Sequence, residues 1–136
     1  MPSNASAAPH VDLERFRSDL REAGVEEMVV SLLQTFLEDC PGRFAALEHA
    51  VEGGNAKTIA SAAHAFRSGS GTIRATFLSG QLASLEADAH AGRLQTISAA
   101  LAEIRIEHVS VMRELESVVN PGNDASRTGA LRRTES

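Results

Sequence analysis

The sequence is poor in most of what marks a secreted, membrane-spanning or nucleic-acid-binding chain. One cysteine, Cys40, stands alone in 136 residues. An intramolecular disulfide is therefore impossible, and so is a cysteine-rich metal site. Tryptophan and tyrosine are absent and aromatics make up 4%, too few for a base-stacking surface. Basic residues number 13 against 18 acidic ones, a net charge of −5. Nucleic-acid binding needs a basic stripe that displaces counterions, and the one basic cluster is Arg127, Arg132 and Arg133. No apolar run approaches the roughly 18 residues that cross a bilayer, and residues 1–9 have no apolar signal core. A cytoplasmic location without direct membrane contact is the expectation. With 43% hydrophobic and 23% charged residues, the chain has the balance of one water-soluble domain with a real core.

β-branched runs of period two are also missing. Apolar residues recur instead at spacings of three and four, the period of a helix with one buried face. Leu13, Phe16, Leu20 and Ala23 form a short stripe, opened by Asp12 as an N-cap and closed by Gly24. Val29, Leu32, Leu33, Phe36, Cys40, Phe44, Leu47 and Val51 form a longer one. Pro41 lies inside it and should bend or break the helix near Leu37 to Cys40. Gly53-Gly54 marks a turn, with Asn55 as the next cap. Three more stripes follow: Ile59, Ala63, Phe66, Ser70 and Ile73; then Ala75, Leu78, Leu82, Leu85 and Ala89; then, past Gly92, Leu94, Ile97, Leu101, Ile104, His108, Val111, Leu115 and Val118. Asn120-Pro121-Gly122 is a stop signal.

Helices with one apolar stripe and short connections bury those stripes by packing antiparallel. The expected fold is all-α: an up-down four-helix bundle of helices at about 26–52, 55–73, 75–91 and 93–119, with a short helix at 12–23 capping one end. Residues 10–119 form the bundle. Residues 1–9 and 120–136 are expected to be disordered tails.

The stretch from Ala63 to Ile73 departs from ordinary bundle sequence. Gly69 and Gly71 sit inside a helical pattern, and each costs about 1 kcal/mol relative to alanine, which points to a need for close approach. Beside the core face 59, 63, 66, 70, 73 runs a second stripe: Ala60, Ser61, His64, Arg67, Ser68 and Gly71. It is nearly flat, with an imidazole and, one turn on, a guanidinium. Residues three and four apart are neighbours on a helix, so Arg67 reaches an anion on His64 and Ser68 offers it a hydroxyl. A neutral imidazole nitrogen is a nucleophile, and Arg67 would offset the charge of gathering phosphoryl oxygens. Ala60, Ser61 and Gly71 would let a partner dock closely.

Ala63-His64-Ala65-Phe66-Arg67-Ser68-Gly69-Ser70-Gly71-Thr72-Ile73-Arg74-Ala75 resembles the signature of the histidine-containing phosphotransfer (HPt) family, Ala-His-x-Φ-Lys-Gly-Ser-x-x-x-Φ-Gly-Ala with Φ apolar. Leu78, Leu82 and Leu85-Glu86 match its spaced leucines and Leu-Glu, and Phe36-Leu37-Glu38-Asp39-Cys40-Pro41 is similar to its upstream Phe-x-x-Asp-x-Pro. The resemblance covers residues 12–118. It implies a phosphoryl carrier rather than an enzyme. His64 would accept the group from an aspartate of a receiver domain and pass it to another receiver aspartate. It implies receivers of response regulators, or a hybrid sensor histidine kinase, as partners, Mg²⁺ on the receiver, and no cofactor or metal on this chain. It leaves open a free-standing monomer or the C-terminal domain of a membrane-bound kinase. No Walker A sequence is present, and Gly69-Ser70-Gly71 alone is not a phosphate loop.

Three positions differ from the signature. Arg67 stands for lysine, keeping charge but changing geometry. Ser68 stands for glycine, as a phosphoryl contact or a steric modulator. Arg74 stands for a turn glycine, and a side chain in the left-handed region costs about 1–2 kcal/mol. The alternative reading is a non-phosphorylated adaptor that docks a receiver or other partner through the same flat surface. Elsewhere, His108 and Cys40 read as core residues, His10 as part of the tail, and His49 and His90 as histidines near helix ends. No His/Asp/Glu set has metal-site spacing.

Overall fold

The computed structural model describes residues 9–121. Of the tails expected at 1–9 and 120–136, residues 1–8 and 122–136, with Arg127, Arg132 and Arg133, lie outside the described residues. Among the described residues five α-helices follow in order: α1 (Leu13–Glu22), α2 (Val29–Gly53), α3 (Ala56–Thr72), α4 (Thr76–His90) and α5 (Ile97–Val119). Among the described residues there is no strand. The four long helices close into a ring in which α2 packs on α3 and α5, and α4 packs on α3 and α5. This is the antiparallel bundle that the stripes call for.

The caps are those the sequence offers. The Asp12 carboxylate accepts from the Arg15 N–H at 3.1 Å, and Asn55 Oδ1 accepts from the Thr58 N–H at 3.0 Å. Each satisfies a backbone donor that a helix start leaves without a partner. Gly54 ends α2 at φ 73°, where a Cβ would be strained. Two boundaries differ from the sequence reading. α2 begins at Val29 after a 3₁₀ turn, Glu26–Met28, and α5 begins at Ile97 after another, Leu94–Thr96. Such turns are frequent at helix starts, and Leu94 is left exposed rather than in the core stripe. Ala23 is likewise exposed.

Pro41 does not break its helix: α2 runs unbroken through it. Proline removes one hydrogen-bond donor and crowds the preceding turn, but Pro41 lies on the exposed side of α2, where water can satisfy the freed carbonyl. Cys40 and Phe44, on either side of it, hold the helix to the core.

The stripes meet in one core. Phe16, Leu33, Leu47, Ile59, Phe66, Leu78, Leu82, Leu85, Ile97, Ile104 and Leu115 are fully buried. Ser70 joins them because its hydroxyl donates to the Phe66 carbonyl at 2.9 Å. His108 packs flat on Phe44, ring centroids 4.4 Å apart, and its Nδ1 lies 3.5 Å from Cys40 Sγ. Burial holds this imidazole below its ordinary value; the nearby Arg105 adds to the effect and Glu48 opposes it.

α1 caps the end of the bundle that carries the α3–α4 turn. The Asp12 N–H donates to the Arg74 carbonyl at 2.9 Å. The segment before α1 is not loose. Glu114 Oε1 accepts from the backbone N–H groups of His10 and Val11 at 2.8 and 2.7 Å. The His10 ring reaches Glu107 Oε2 at 2.8 Å, and Val11 is buried. His10 is therefore part of the fold, a correction to its reading as tail.

Candidate functional site

Four of the six residues on the second stripe of α3, His64, Ser61, Ser68 and Gly71, are exposed. Arg67 is partly covered. Ala60 is 3% exposed and belongs to the core, a correction to its placement on the open surface. Arg67 and Gly71 face α4 through Glu86 and Ser79, and Ala60 is enclosed in the core. An open docking surface can use Ser61, Ser68 and Gly71, but not Ala60.

The glycines have structural neighbours too. A Cβ on Gly69 would lie 3.7 Å from the Phe36 ring on α2, and one on Gly71 would lie 3.4 Å from Ser79 Oγ on α4. Both distances are ordinary van der Waals contact. Alanine would therefore fit at Gly69, and helix packing alone does not demand these glycines. Arg74 has φ 66°, so the turn position where the HPt signature has glycine is indeed left-handed here.

His64 lies mid-way along α3, its side chain 60% exposed. Two side chains meet its inner edge, and a third stands behind them. Glu86, on α4, brings Oε2 to 3.1 Å from His64 Nδ1. Arg67 brings Nη2 to 3.0 Å from the same nitrogen, while its Nε–H donates to Glu86 Oε1 at 3.0 Å. His90, one turn past Glu86, places Nε2 3.7 Å from Glu86 Oε2. Burial pushes the Glu86 carboxyl upward, but hydrogen bonds from Arg67 and His64, with their charges, outweigh it and hold the group below the ordinary carboxylate range. Glu86 is thus an anion tucked behind the imidazole. Among the described residues, His64 Nε2 makes no hydrogen bond.

Glu86 was not singled out by sequence reasoning. The signal was present: Leu85-Glu86 matches the HPt pattern, and in a helical hairpin turning at Arg74, residues about equally far from the turn face each other. His64 lies ten residues before Arg74 and Glu86 twelve after.

The arrangement has a definite chemical capacity. If Nδ1 carries the ring proton, it donates to Glu86, and Nε2 presents a lone pair to solvent. In that tautomer the carboxylate also holds the orientation of the ring. Among the described residues no group of three or more His, Cys, Asp or Glu side chains could hold a metal ion, and no helix is long and apolar enough to cross a membrane.

The family model for the Hpt domain matches residues 31–127. The chain belongs to the Hpt domain family. Membership places it among the histidine phosphotransfer domains of phosphorelays. Among solved structures, histidine-containing phosphotransfer protein B from Pseudomonas aeruginosa PAO1 is similar, with 31% identity and a TM-score of 0.76. The match covers 84% of this chain and 97% of that one. A comparison with curated protein sequences finds no match. The Hpt fold and the helical bundle read from the stripes are the same object.

Proposed function

We propose that His64 Nε2 is the atom that takes a phosphoryl group from a receiver-domain aspartate and returns it to the aspartate of another receiver. The observation that carries this reading is the exposed imidazole whose inner nitrogen faces Glu86 Oε2 at 3.1 Å while its outer nitrogen is free. The Nε2 lone pair attacks phosphorus, an N–P bond forms, and the P–O bond to the aspartate carboxylate breaks. The cationic ring that results keeps its Nδ1–H on Glu86. The return step reverses these changes.

Arg67 keeps a guanidinium against the ring and offsets phosphoryl charge as it gathers. Ser68, one turn beyond His64 and exposed, either contacts a phosphoryl oxygen or limits how close the receiver comes. Ser61 and Gly71 complete the docking surface. The Mg²⁺ that such a transfer uses would come with the receiver, and this chain would act as a monomeric carrier without a cofactor.

The test is to incubate parent and His64→Gln with a panel of phosphorylated receivers. Acid-labile, base-stable label should appear on the parent and not on the variant. His64 is exposed, so the substitution should change stability by less than about 0.5 kcal/mol. Equal labelling of both would move the acceptor elsewhere, with His49 and His90 the first candidates. Receivers that bind but never label the parent would favour an adaptor.

A further inference from the structure

His64 Nδ1 stands between a donor and an acceptor that cannot both be satisfied. Arg67 Nη2, 3.0 Å away, can only donate. Glu86 Oε2, 3.1 Å away and ionised, can only accept. With the proton on Nδ1, the ring bonds Glu86 and opposes Arg67. With the proton on Nε2, bare Nδ1 accepts from Arg67 and its lone pair faces the carboxylate. Each neutral tautomer makes one good contact and one bad one, so a modest bias decides between them.

The bias has a source on the page. His90 Nε2 lies 3.7 Å from Glu86 Oε2, the same oxygen that faces His64. The other oxygen is occupied by Arg67 Nε. The charged and titratable groups facing this carboxylate are therefore His64 and Arg67 from α3 and His90 from α4. Lys57, at the start of α3, lines the same shallow hollow as His90.

We propose that His90 is a positioning residue whose protonation selects the tautomer of His64. Neutral His90 leaves Oε2 free to hold the Nδ1 proton, and Nε2 carries the lone pair. Protonated His90 takes up that oxygen as a cationic donor, a stronger partner than a neutral one. Oε2 then accepts less well from Nδ1–H, and Arg67 becomes the better partner for Nδ1. The proton moves to Nε2, which loses its lone pair. The effect on transfer rests on the reading of His64 as the phosphoacceptor; the effect on the tautomer does not.

Two readouts on the full chain separate these. Ring ¹⁵N shifts of His64, followed against pH, report the tautomer. Labelling by phosphoramidate reports nucleophilicity without receiver docking: the Nε2–P bond forms as the P–N bond of the reagent breaks and ammonia leaves. The variants are His90→Gln, a neutral donor, and His90→Lys, a permanent cation. In the parent, His64 should shift from the Nδ1–H toward the Nε2–H form as His90 takes up its proton. Its labelling rate should fall more steeply than about tenfold per pH unit, the slope of one required deprotonation. His90→Gln should keep the Nδ1–H form and a slope of about tenfold. His90→Lys should hold the Nε2–H form throughout and label about tenfold more slowly near neutrality, the change expected when a tautomer ratio inverts. A passive surface histidine would not give opposite effects in the two variants. Identical tautomer profiles in all three proteins would overturn the proposal. Tautomers that respond as expected in proteins that take no label would sustain it and overturn the phosphoacceptor reading instead.

Discussion

Asp19 and Arg74 meet across the capped end of the bundle, with Arg74 Nε 2.8 Å from Asp19 Oδ2 and Nη2 3.2 Å from Oδ1. The hydrogen bond from Arg74 holds the Asp19 carboxyl below its ordinary value, against a smaller effect of burial. This fork fastens α1 to the turn between α3 and α4. It does so at Arg74, whose φ of 66° is the one positive value outside glycine among the described residues. The pair is only half-buried, and an ion pair this open to water is worth little by itself. Its interest lies in the strained backbone beneath it.

Arg74→Gly and Arg74→Ala should therefore differ in sign. Both lose the fork to Asp19. Glycine also removes the left-handed strain, whereas alanine keeps it. Denaturant midpoints should place the glycine variant at or above the parent and the alanine variant below both. An alanine variant as stable as the glycine one would show that the turn relaxes when the side chain is cut back.

Arg67→Ala and Glu86→Gln should both slow phosphoryl transfer while leaving receiver binding nearly intact. Arg67→Ala removes its contacts to both His64 and Glu86, and Glu86→Gln replaces one of two acceptor oxygens. One hydrogen bond involving a charged group is worth about 1.5–3 kcal/mol, or roughly tenfold to a hundredfold in rate if it acts at the transition state. Rapid-quench transfer assays beside binding isotherms make the separation. Parent-like rates in both variants would leave Nδ1 without a demonstrated role.

Ser68→Gly should transfer at least as fast as the parent. Its hydroxyl can give a phosphoryl oxygen about 1 kcal/mol, but a receiver held back by about 1 Å loses about a hundredfold in a positioned reaction. The steric effect wins if the interface is close. The glycine variant should also lose about 0.5 kcal/mol of helix stability. A much slower variant would instead make the serine a catalytic contact.

His108 should make the fold acid-sensitive. Its imidazole is held below the ordinary value of 6.5 by burial, then by Arg105. The fold keeps this ring neutral, whereas the unfolded chain protonates it first as pH drops. Its contribution is complete above 6.5 and is lost as pH falls from there through the depressed value. Melting temperatures from pH 7 to 5 should fall less in His108→Phe, which retains stacking on Phe44. Parallel curves for parent and variant would assign acid sensitivity elsewhere.

The bundle was legible because its signals are local. A stripe such as Leu78, Leu82, Leu85, Ala89 needs only the 3.6-residue period, and Asp12 and Asn55 cap residues three positions away. What was not legible depends on how helices are rotated against one another. Ala60 lies on the border of the core face of α3, and only the packing of the helices decides that it is covered. Glu86 joins His64 through the pairing of α3 with α4. His10 and Glu107 are 97 positions apart, and nothing near either announces the other. Pro41 was misleading for a related reason: its penalty depends on which side of α2 it occupies.

Cys40 gives the chain a clock. Its thiol is wholly buried and pushed up to about 12 by that burial, so the reactive thiolate is scarce while the bundle is closed. An alkylating reagent can capture it only when the helices around it part. Because the sequence has a single cysteine, each adduct records one opening of the core. With reagent in excess, the rate of adduct formation in native buffer then reports how readily the core opens, without denaturant or an engineered cysteine.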